Sequence, residues 1–460
     1  MARLVMAPML DFIRGCQCMP SLAELEASQW WPLERIEALQ SERLAQTMQH
    51  AYAHVSYYRQ VMQERGIRPG DIRTVPELAR LPVLTKAIVR SRMNDLVSDD
   101  VAQGDLIRGH TAGSTGSPLV FFTTKQDRYG YGQARGLLAR QWAGVALGDR
   151  MVFFAPHYSA PPTWLERRIR PISAMLRRET QIPLALLSKE SLDSAVGLLH
   201  RTKPRAIAGY PSTLALIAGH IRDSGWPAPA LHAVLTGGEQ VFDHQRALVR
   251  DVFGVEPYSR YGSSENFLLA TECEAHTGMH VFAQDLVLEI IDENGSPVNP
   301  GTEGRVAVTN LRARGMPFIR YDTGDVGSYA VAPCPCGRSM PLLDRLSGRR
   351  CDTIYTRSGA RIVGNGVERD GFAFLGVTQL QYVQEDLDHF TARFVVPAAS
   401  TTEAQSEFRL QATDMLRRSL GPDIGVTVEL VEHIELSPAG KYVPIISKVD
   451  PDSWLKRSES

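Results

Sequence analysis

Apolar positions fall into two rhythms along this chain. Between residues 130 and 260 short apolar runs alternate with helical spacing. Met151-Val152-Phe153-Phe154, Arg205 to Tyr210 and His232 to Thr236 read as strands. Leu192, Ala195, Val196 and Leu199 recur at the i, i+3, i+4, i+7 spacing of an amphipathic helix, with Ser188 placed to cap it. Pro211 stands where a helix accepts proline, in its first turn. This alternation predicts a mostly parallel sheet covered by helices, with ligands gathering at the carboxyl ends of the strands. Tyr210, Gly237-Gly238-Glu239 and Tyr261 stand at such ends.

On either side the rhythm changes. Residues 1 to 70 read as helical: Leu22 to Leu44 is a polar, leucine-rich run with Trp30 and Trp31 in its middle, and His50 to Arg59 is a further helix, with Leu81 to Lys86 a loop. Asp285 to Ile291 and Arg305 to Asn310 read as strands, the first ending in the turn Asp292-Glu293-Asn294-Gly295, which marks a more antiparallel subdomain. Past Gly348, the segments Gln379 to Val396, Glu403 to Leu420 and Val426 to Leu436 read as a small α+β domain, and Pro451 to Ser460 as a frayed tail. The expected organisation is α/β: a large N-terminal domain over 1–347, with mostly parallel sheets plus a β subdomain, a link at 348–352, and a small α+β domain over 353–460.

Composition narrows the class. The 460 residues exceed one ordinary core, and 43% hydrophobic with 22% charged residues is the balance of a globular protein. A net charge of −1 gives no global electrostatic case for nucleic acid or an anionic membrane. The longest apolar runs fall short of a membrane span, and Met1 to Leu10, with Arg3 and then Asp11 and Arg14, makes a poor signal peptide, so the cytoplasm is the expected compartment. Six cysteines at this length are not a disulfide scaffold. Cys16-x-Cys18 lacks a second half nearby and reads as packing or surface.

Several clusters carry possible chemistry. His110-Thr111-Ala112-Gly113-Ser114-Thr115-Gly116-Ser117-Pro118 precedes the strand-like Leu119 to Thr124. Glycine lets backbone approach a ligand, successive N–H groups make an anion-binding concavity, and Ser114, Thr115 and Ser117 add donors for phosphate oxygens. The loop lacks the Gly-Lys-Ser/Thr ending of a Walker loop and lies between strands; an ordinary turn is the plain alternative. Tyr258 to Glu265 offers an aromatic to stack a base, Gly262 to admit a ligand and Glu265 as a hard oxygen donor for Mg²⁺, against a strand-to-helix turn capped by Ser263 or Ser264. Arg320-Tyr321-Asp322-Thr323-Gly324-Asp325 could present a carboxylate to two ribose hydroxyls or be a β-turn. Gly348-Arg349-Arg350-Cys351-Asp352 could equally be a charged linker. Finally, Cys273-x-x-His276 and Cys334-x-Cys336-Gly337 form a Cys₃His set suited to tetrahedral Zn²⁺, with His280 as a competing ligand; two knuckles far apart in the chain suit a structural clip.

In order and spacing these motifs resemble the acyl-adenylate-forming superfamily, specifically its phenylacetate–CoA ligase-like branch. The resemblance covers nearly the whole chain and includes Tyr57-Tyr58-Arg59, Leu81 to Lys86, Gly209-Tyr210-Pro211-Ser212, Thr236 to Glu239 and Glu289 to Gly295. It implies ATP-dependent activation of a carboxylic acid, aryl or arylacetic, to acyl-AMP, followed by transfer to the thiol of coenzyme A, with ATP, Mg²⁺, coenzyme A and a structural Zn²⁺ as cofactors. Thr111, Gly113, Ser114, Thr115 and Gly116 look like the loop around the β- and γ-phosphates. Gly237, Gly238 and Glu239 look like part of the adenine and acyl pocket, Tyr261, with Gly262 and Ser263, like the wall against the adenine, and Glu265 like the Mg²⁺ ligand. Asp325 looks like the ribose acceptor, Arg349 like the arginine near the nucleotide, and Asp352 like the hinge about which a mobile small domain rotates. Ser437-Pro438-Ala439-Gly440-Lys441 fits the family's glycine followed by the adenylation lysine, with Lys448 as runner-up. The segment Gly359 to Gly366 departs from the stretch that shapes a pantetheine tunnel in many relatives, which leaves an amine or a carrier-protein thiol open as acceptor. A homodimer is compatible with the resemblance, and a nucleotide-binding scaffold without turnover is the rival of another class.

Overall fold

The computed structural model describes residues 7–111, 119–154, 178–182, 189–349, 353–355, 361–363, 377, 379–396, 402–420, 424–435 and 442–449. The chain divides into two compact units. The first comprises Met1–Val241, Gln245–Thr323 and Gly327–Leu346; the second comprises Phe242–His244, Gly324–Val326 and Ser347–Ser460.

The first unit opens with helices α1 (Ala7–Arg14), α2 (Cys18–Ser28), α3 (Leu33–His54) and α4 (Ser56–Glu64). The polar, leucine-rich run is therefore divided between two helices. Pro32, with φ fixed near the helical value and no N–H to donate, caps the start of α3, so Trp30 and Trp31 fall in the connection. The expected His50–Arg59 helix is likewise split at Val55, whose extended φ of −124° ends α3 while its buried side chain joins the core. Cys16 and Cys18 are both buried, which settles the CxC pair as packing.

Two strands, β1 (Leu106–His110) and β2 (Val120–Thr124), form an antiparallel ribbon. The parallel sheet follows as predicted: β3 (Met151–Phe154), β4 (Glu179–Ile182), β5 (Ala206–Gly209), β6 (Ala233–Thr236) and β7 (Pro257–Tyr258) align in the order β4-β3-β5-β6-β7 with every pairing parallel. The helix Lys189–Thr202 turns Leu192, Ala195, Val196 and Leu199 into the core, and the next, Pro211–Ser224, turns Leu214, Ile217, Ala218 and Ile221 the same way. These side chains pack on Val152, Ile207 and Val234 of the sheet; burying each large aliphatic contributes roughly 1.5–3 kcal/mol. Ser188, the expected cap, lies outside the described residues. Proline occupies the first turn of the second helix, and Gly225 closes it in the left-handed region at φ +68°.

A seven-stranded sheet, most of whose residues belong to this unit, is built from β8 (Arg260–Ser263), β9 (Phe267–Glu272), β10 (Met279–Val281), β11 (Leu286–Ile291), β12 (Gly304–Asn310), β13 (Tyr321–Tyr329) and β14 (Leu342–Arg349) in the order β11-β12-β13-β14-β10-β9-β8. Strand β11 is buried along its whole length, so its one carboxylate needs a partner. Glu289 has one: the buried Arg320 guanidinium donates to both of its oxygens at 3.0 to 3.2 Å, and donates also to the carbonyls of Leu81 and Gly295. That single side chain ties the N-terminal loop and the 292–295 turn to the sheet, and fixes where β13 begins.

The second unit has a four-stranded sheet, β19-β18-β17-β20, made from β17 (Gln379–Gln384), β18 (His389–Val395), β19 (Gly425–Leu430) and β20 (Ile445–Ser447). The helix Thr402–Leu420 covers it, seating Ala412 and Leu416 among Leu380, Tyr382, Phe390 and Phe394. A two-stranded ribbon, β15 (Thr353–Tyr355) and β16 (Arg361–Val363), precedes it.

Candidate active site and metal centre

The carboxyl end of the parallel sheet is built as the alternation implied. Tyr210 follows β5 and the Gly237-Gly238-Glu239 turn follows β6, with the Gly237 N–H donating to the Gly209 carbonyl at 3.2 Å. Gly238 sits at φ +82°, and a Cβ there would lie 2.5 Å from Cε1 of the Tyr210 ring. The glycine is required twice, by its backbone and by the ring against it. Glu239 accepts from the Ser212 N–H at 3.2 Å, in the first turn of Pro211–Ser224, where the exposed N–H groups favour a carboxylate. Gly238→Ala is expected to cost about 1–2 kcal/mol from the left-handed backbone alone. It should also displace Tyr210; denaturant titration reads the first effect, and a raised KM for the acid with a smaller change in kcat reads the second.

The stretch after β8 is a hairpin rather than the turn into a helix that was weighed against a ligand site. Strands β8 and β9 pair antiparallel with a register shift at Tyr261/Gly262. Gly262 packs so closely on β9 that a Cβ would be 2.5 Å from the Phe267 carbonyl oxygen. The Ser263 hydroxyl accepts from the Asn266 N–H at 3.1 Å, closing the tight loop that carries Glu265. Tyr261 is buried and donates its hydroxyl to Thr323 Oγ1 at 3.2 Å; Thr323 donates onward to the Val306 carbonyl at 3.1 Å. Glu265 is only 5% exposed, and its Oε1 accepts from the Tyr321 hydroxyl at 2.7 Å. Two bonds thus join the 258–265 motif to the 320–325 motif, which are adjacent in space only because β8 and β13 belong to one sheet. Asp325 stands further along β13, two residues past Thr323.

Tyr321 is a further functional candidate within the Arg320–Asp325 motif, one that the sequence alone does not assign a role. Its signal would have been a fully buried tyrosine whose hydroxyl needs a polar partner. Tyr321→Phe leaves the shape intact and removes one donor from a buried carboxylate, a loss of about 1.5–3 kcal/mol. Activity should fall roughly tenfold or more, with the Mg²⁺ concentration required for half-maximal activity shifted upward, and an unchanged magnesium dependence would count against the positioning role.

The proposed phosphate loop is subtended by β1 and β2, as expected for a loop between strands. Thr111 closes its base: its N–H donates to the Leu119 carbonyl and its Oγ1 accepts from the Leu119 N–H, both at 2.9 Å. Gly113, Ser114, Thr115 and Gly116 lie outside the described residues, as do Asp352 and Lys441. Arg349 ends β14. Lys448, the alternative lysine, is exposed and pairs with Glu385 beside it in the second unit. Among the nearby aromatic residues, Tyr210 lies on the Gly238 turn, Phe267 packs against Gly132, and Phe242 stacks on His244.

The cysteine set assembles with one substitution. Cys273, His280, Cys334 and Cys336 bring one donor atom each to within 4.8 Å of one another. Cys273 Sγ is 3.6 Å from Cys334 Sγ, and Cys336 Sγ is 3.2 Å from His280 Nε2. A tetrahedral ion with Zn–S bonds of about 2.3 Å has S···S edges near 3.7 Å, so the geometry fits a Cys₃His zinc site. His276, the ligand first expected, is directed elsewhere. It takes φ +50° at the end of the Cys273 turn, its Nδ1 meets Glu272 Oε2 at 3.1 Å, and its ring lies 4.4 Å from that of Tyr258. His280 prevails because β10 lies between β14 and β9, directly between the two cysteine-bearing segments. Burial pushes His280 down to about 4, so its imidazole is neutral, the form that binds metal. Burial also pushes the Cys273 thiol up to about 12, a thiol that only a bound cation would keep ionised at neutral pH. Glu272 would be raised by burial, yet hydrogen bonds from His276, Arg246 and the Ser259 N–H hold it below the usual carboxylate range.

The chain is 28% identical over 411 residues to phenylacetate-coenzyme A ligase of Thermus thermophilus, covering 87% of this chain and 86% of the relative. It is 26% identical over 413 residues to the Escherichia coli protein of the same name, covering 87% and 91%. The chain is thus similar over most of its length to proteins named phenylacetate-coenzyme A ligase. No family model matches it. The fold agrees: a crystal structure of 2-hydroxyisobutyryl-CoA ligase in the postadenylation state, 22% identical, superposes with a TM-score of 0.72 over 94% of each chain. Among the described residues no helix is long and apolar enough to cross a membrane.

Proposed function

We propose that this phenylacetate–CoA ligase relative activates a carboxylic acid, aryl or arylacetic, with ATP and passes the acyl group to coenzyme A. The observation that carries the reading is the buried junction of Tyr261, Glu265, Tyr321 and Thr323, which draws two remote motifs to one place beside the carboxyl ends of the parallel sheet. The similarity over 87% of the chain to ligases named for phenylacetate and coenzyme A supports it.

In the first half-reaction a carboxylate oxygen attacks the α-phosphorus of ATP. The bond from that phosphorus to the bridging oxygen breaks, and pyrophosphate leaves with the electron pair. Such a step is helped chiefly by positioning and by positive charge near the phosphates. The Thr111–Gly116 loop would supply N–H and hydroxyl donors, Tyr261 and the Gly237–Glu239 turn would hold the base and the acyl group, and Asp325 would accept the ribose hydroxyls. Glu265 fits Mg²⁺ as a carboxylate oxygen donor held in place by Tyr321; the ion, when bound, neutralises phosphate charge. Arg349 and Lys441 would add fixed and state-dependent positive charge. In the second half-reaction the thiol of coenzyme A attacks the acyl carbon, the bond to AMP breaks, and the thiol proton passes to solvent. Rotation at Asp352 would separate the two steps. The zinc site has four protein donors and no open position, so it would hold β9, β10 and the 334–336 loop together rather than take part in chemistry. The cytoplasm is the proposed compartment.

Exchange of labelled pyrophosphate into ATP, measured across a panel of aryl, arylacetic and aliphatic acids, tests the first half-reaction. Acid-dependent exchange is expected, strongest with an aromatic acid; none with any acid would favour a nucleotide-binding scaffold. Adding coenzyme A to an active pair should yield the thioester, whereas product only with amines or a carrier protein would assign the other acceptors.

A further inference from the structure

A second cluster of metal-ligating side chains lies in the N-terminal helices, apart from everything used above. His50 and His54 stand one helical turn apart on α3, and the segment 98–100 brings Asp100 to them. One ring nitrogen of each histidine and one oxygen of Asp100 lie within 4.8 Å of one another. We propose that His50, His54 and Asp100 form a binding site for a divalent transition-metal ion of the imidazole-preferring class, such as Ni²⁺, Co²⁺ or Zn²⁺.

The outer contacts prepare these groups for that role. Nε2 of the buried His50 is 3.2 Å from the Arg314 carbonyl oxygen and 3.4 Å from Ser98 Oγ. A carbonyl oxygen can only accept, so the ring proton is held at Nε2 and the lone pair is left at Nδ1. That Nδ1 faces Asp100 Oδ2 at 3.5 Å. A lone pair facing a carboxylate is unfavourable unless a proton or a metal ion lies between them. The carboxylate is oriented in turn: Asp100 Oδ1 accepts from Ser98 Oγ at 2.6 Å. A ligating ring anchored through its other nitrogen, and a ligating carboxylate anchored through its other oxygen, is the usual outer shell of a protein metal site. His54 Nδ1 meets Asp99 Oδ1 at 2.9 Å, so a second carboxylate stands at the rim. His54 and Asp100 are 39% and 38% exposed, so an ion can enter and keep water in its remaining positions. Two imidazoles and one carboxylate suit nickel, cobalt or zinc better than magnesium or calcium, which prefer all-oxygen sites.

The proposal is independent of the ligase reading, and its test uses no activity. The full chain is loaded with one equivalent of Zn²⁺ to occupy the cysteine site and then titrated with Ni²⁺ by calorimetry at neutral pH, with metal content checked after dialysis. One further equivalent should bind. His54→Ala and Asp100→Asn, both at partly exposed positions, should each weaken that binding about tenfold or more, with unchanged circular dichroism, while Cys336→Ser should leave the nickel step intact. Absence of saturable nickel uptake, or uptake equal in wild type and both variants, would overturn the site.

Discussion

Replacing Lys441 with alanine should lower the rate of acyl-AMP formation by about a thousandfold, the scale on which a cation serving a transferring phosphoryl group is worth. Thioester formation from supplied acyl-AMP should change little. The asymmetry follows from chemistry. Negative charge builds on the phosphates only while pyrophosphate departs, so a lysine serving that step has nothing to stabilise once the mixed anhydride exists. Lys448→Ala should leave both steps near wild type, because that side chain is an exposed one paired with Glu385. Rapid-quench measurement of each half-reaction separates the outcomes; equal damage to both by Lys441→Ala would remove the lysine from the adenylation role.

Breaking the cysteine cluster should produce the largest loss of stability. Cys334→Ser and His280→Ala should each lose bound zinc and cost about 4 kcal/mol or more, while His276→Ala should retain the metal. The difference arises from placement. Cys273 closes β9, His280 lies on β10, and Cys334 and Cys336 precede β14, so the ion would join three neighbouring strands of one sheet. Removing one donor leaves buried thiols without the charge that keeps them ionised. Zinc content by elemental analysis, together with thermal unfolding, reads both effects, and zinc retained in His280→Ala but lost in His276→Ala would restore the original ligand set.

What the sequence could disclose depended on the range of the interaction. The parallel sheet was legible because its strands and helices are each specified by local periodicity: Leu192 to Leu199 marks a helix face within eight residues, and Pro211 marks the start of the next. The break at Pro32 was visible in principle, since proline lacks the donor that a continuous helix needs, but two tryptophans embedded in a leucine-rich run obscured it. The choice between His276 and His280 was not local. Both follow Cys273 closely, and only the sheet order, with β10 between β14 and β9, turns one toward the thiols and leaves the other with Glu272. The bond between Tyr321 and Glu265 joins residues whose nearness is created by topology, so the motifs could be recognised singly while their contact could not.

The proposed reaction turns on attack at the α-phosphorus of ATP by the acid itself. The most direct measurement uses a substrate acid labelled with ¹⁸O in its carboxylate, turned over once with ATP and coenzyme A, and follows the label by mass spectrometry. One labelled oxygen should appear in the phosphate of AMP. Label in orthophosphate, with ADP as the nucleotide product, or no transfer of label to any phosphate, would contradict it.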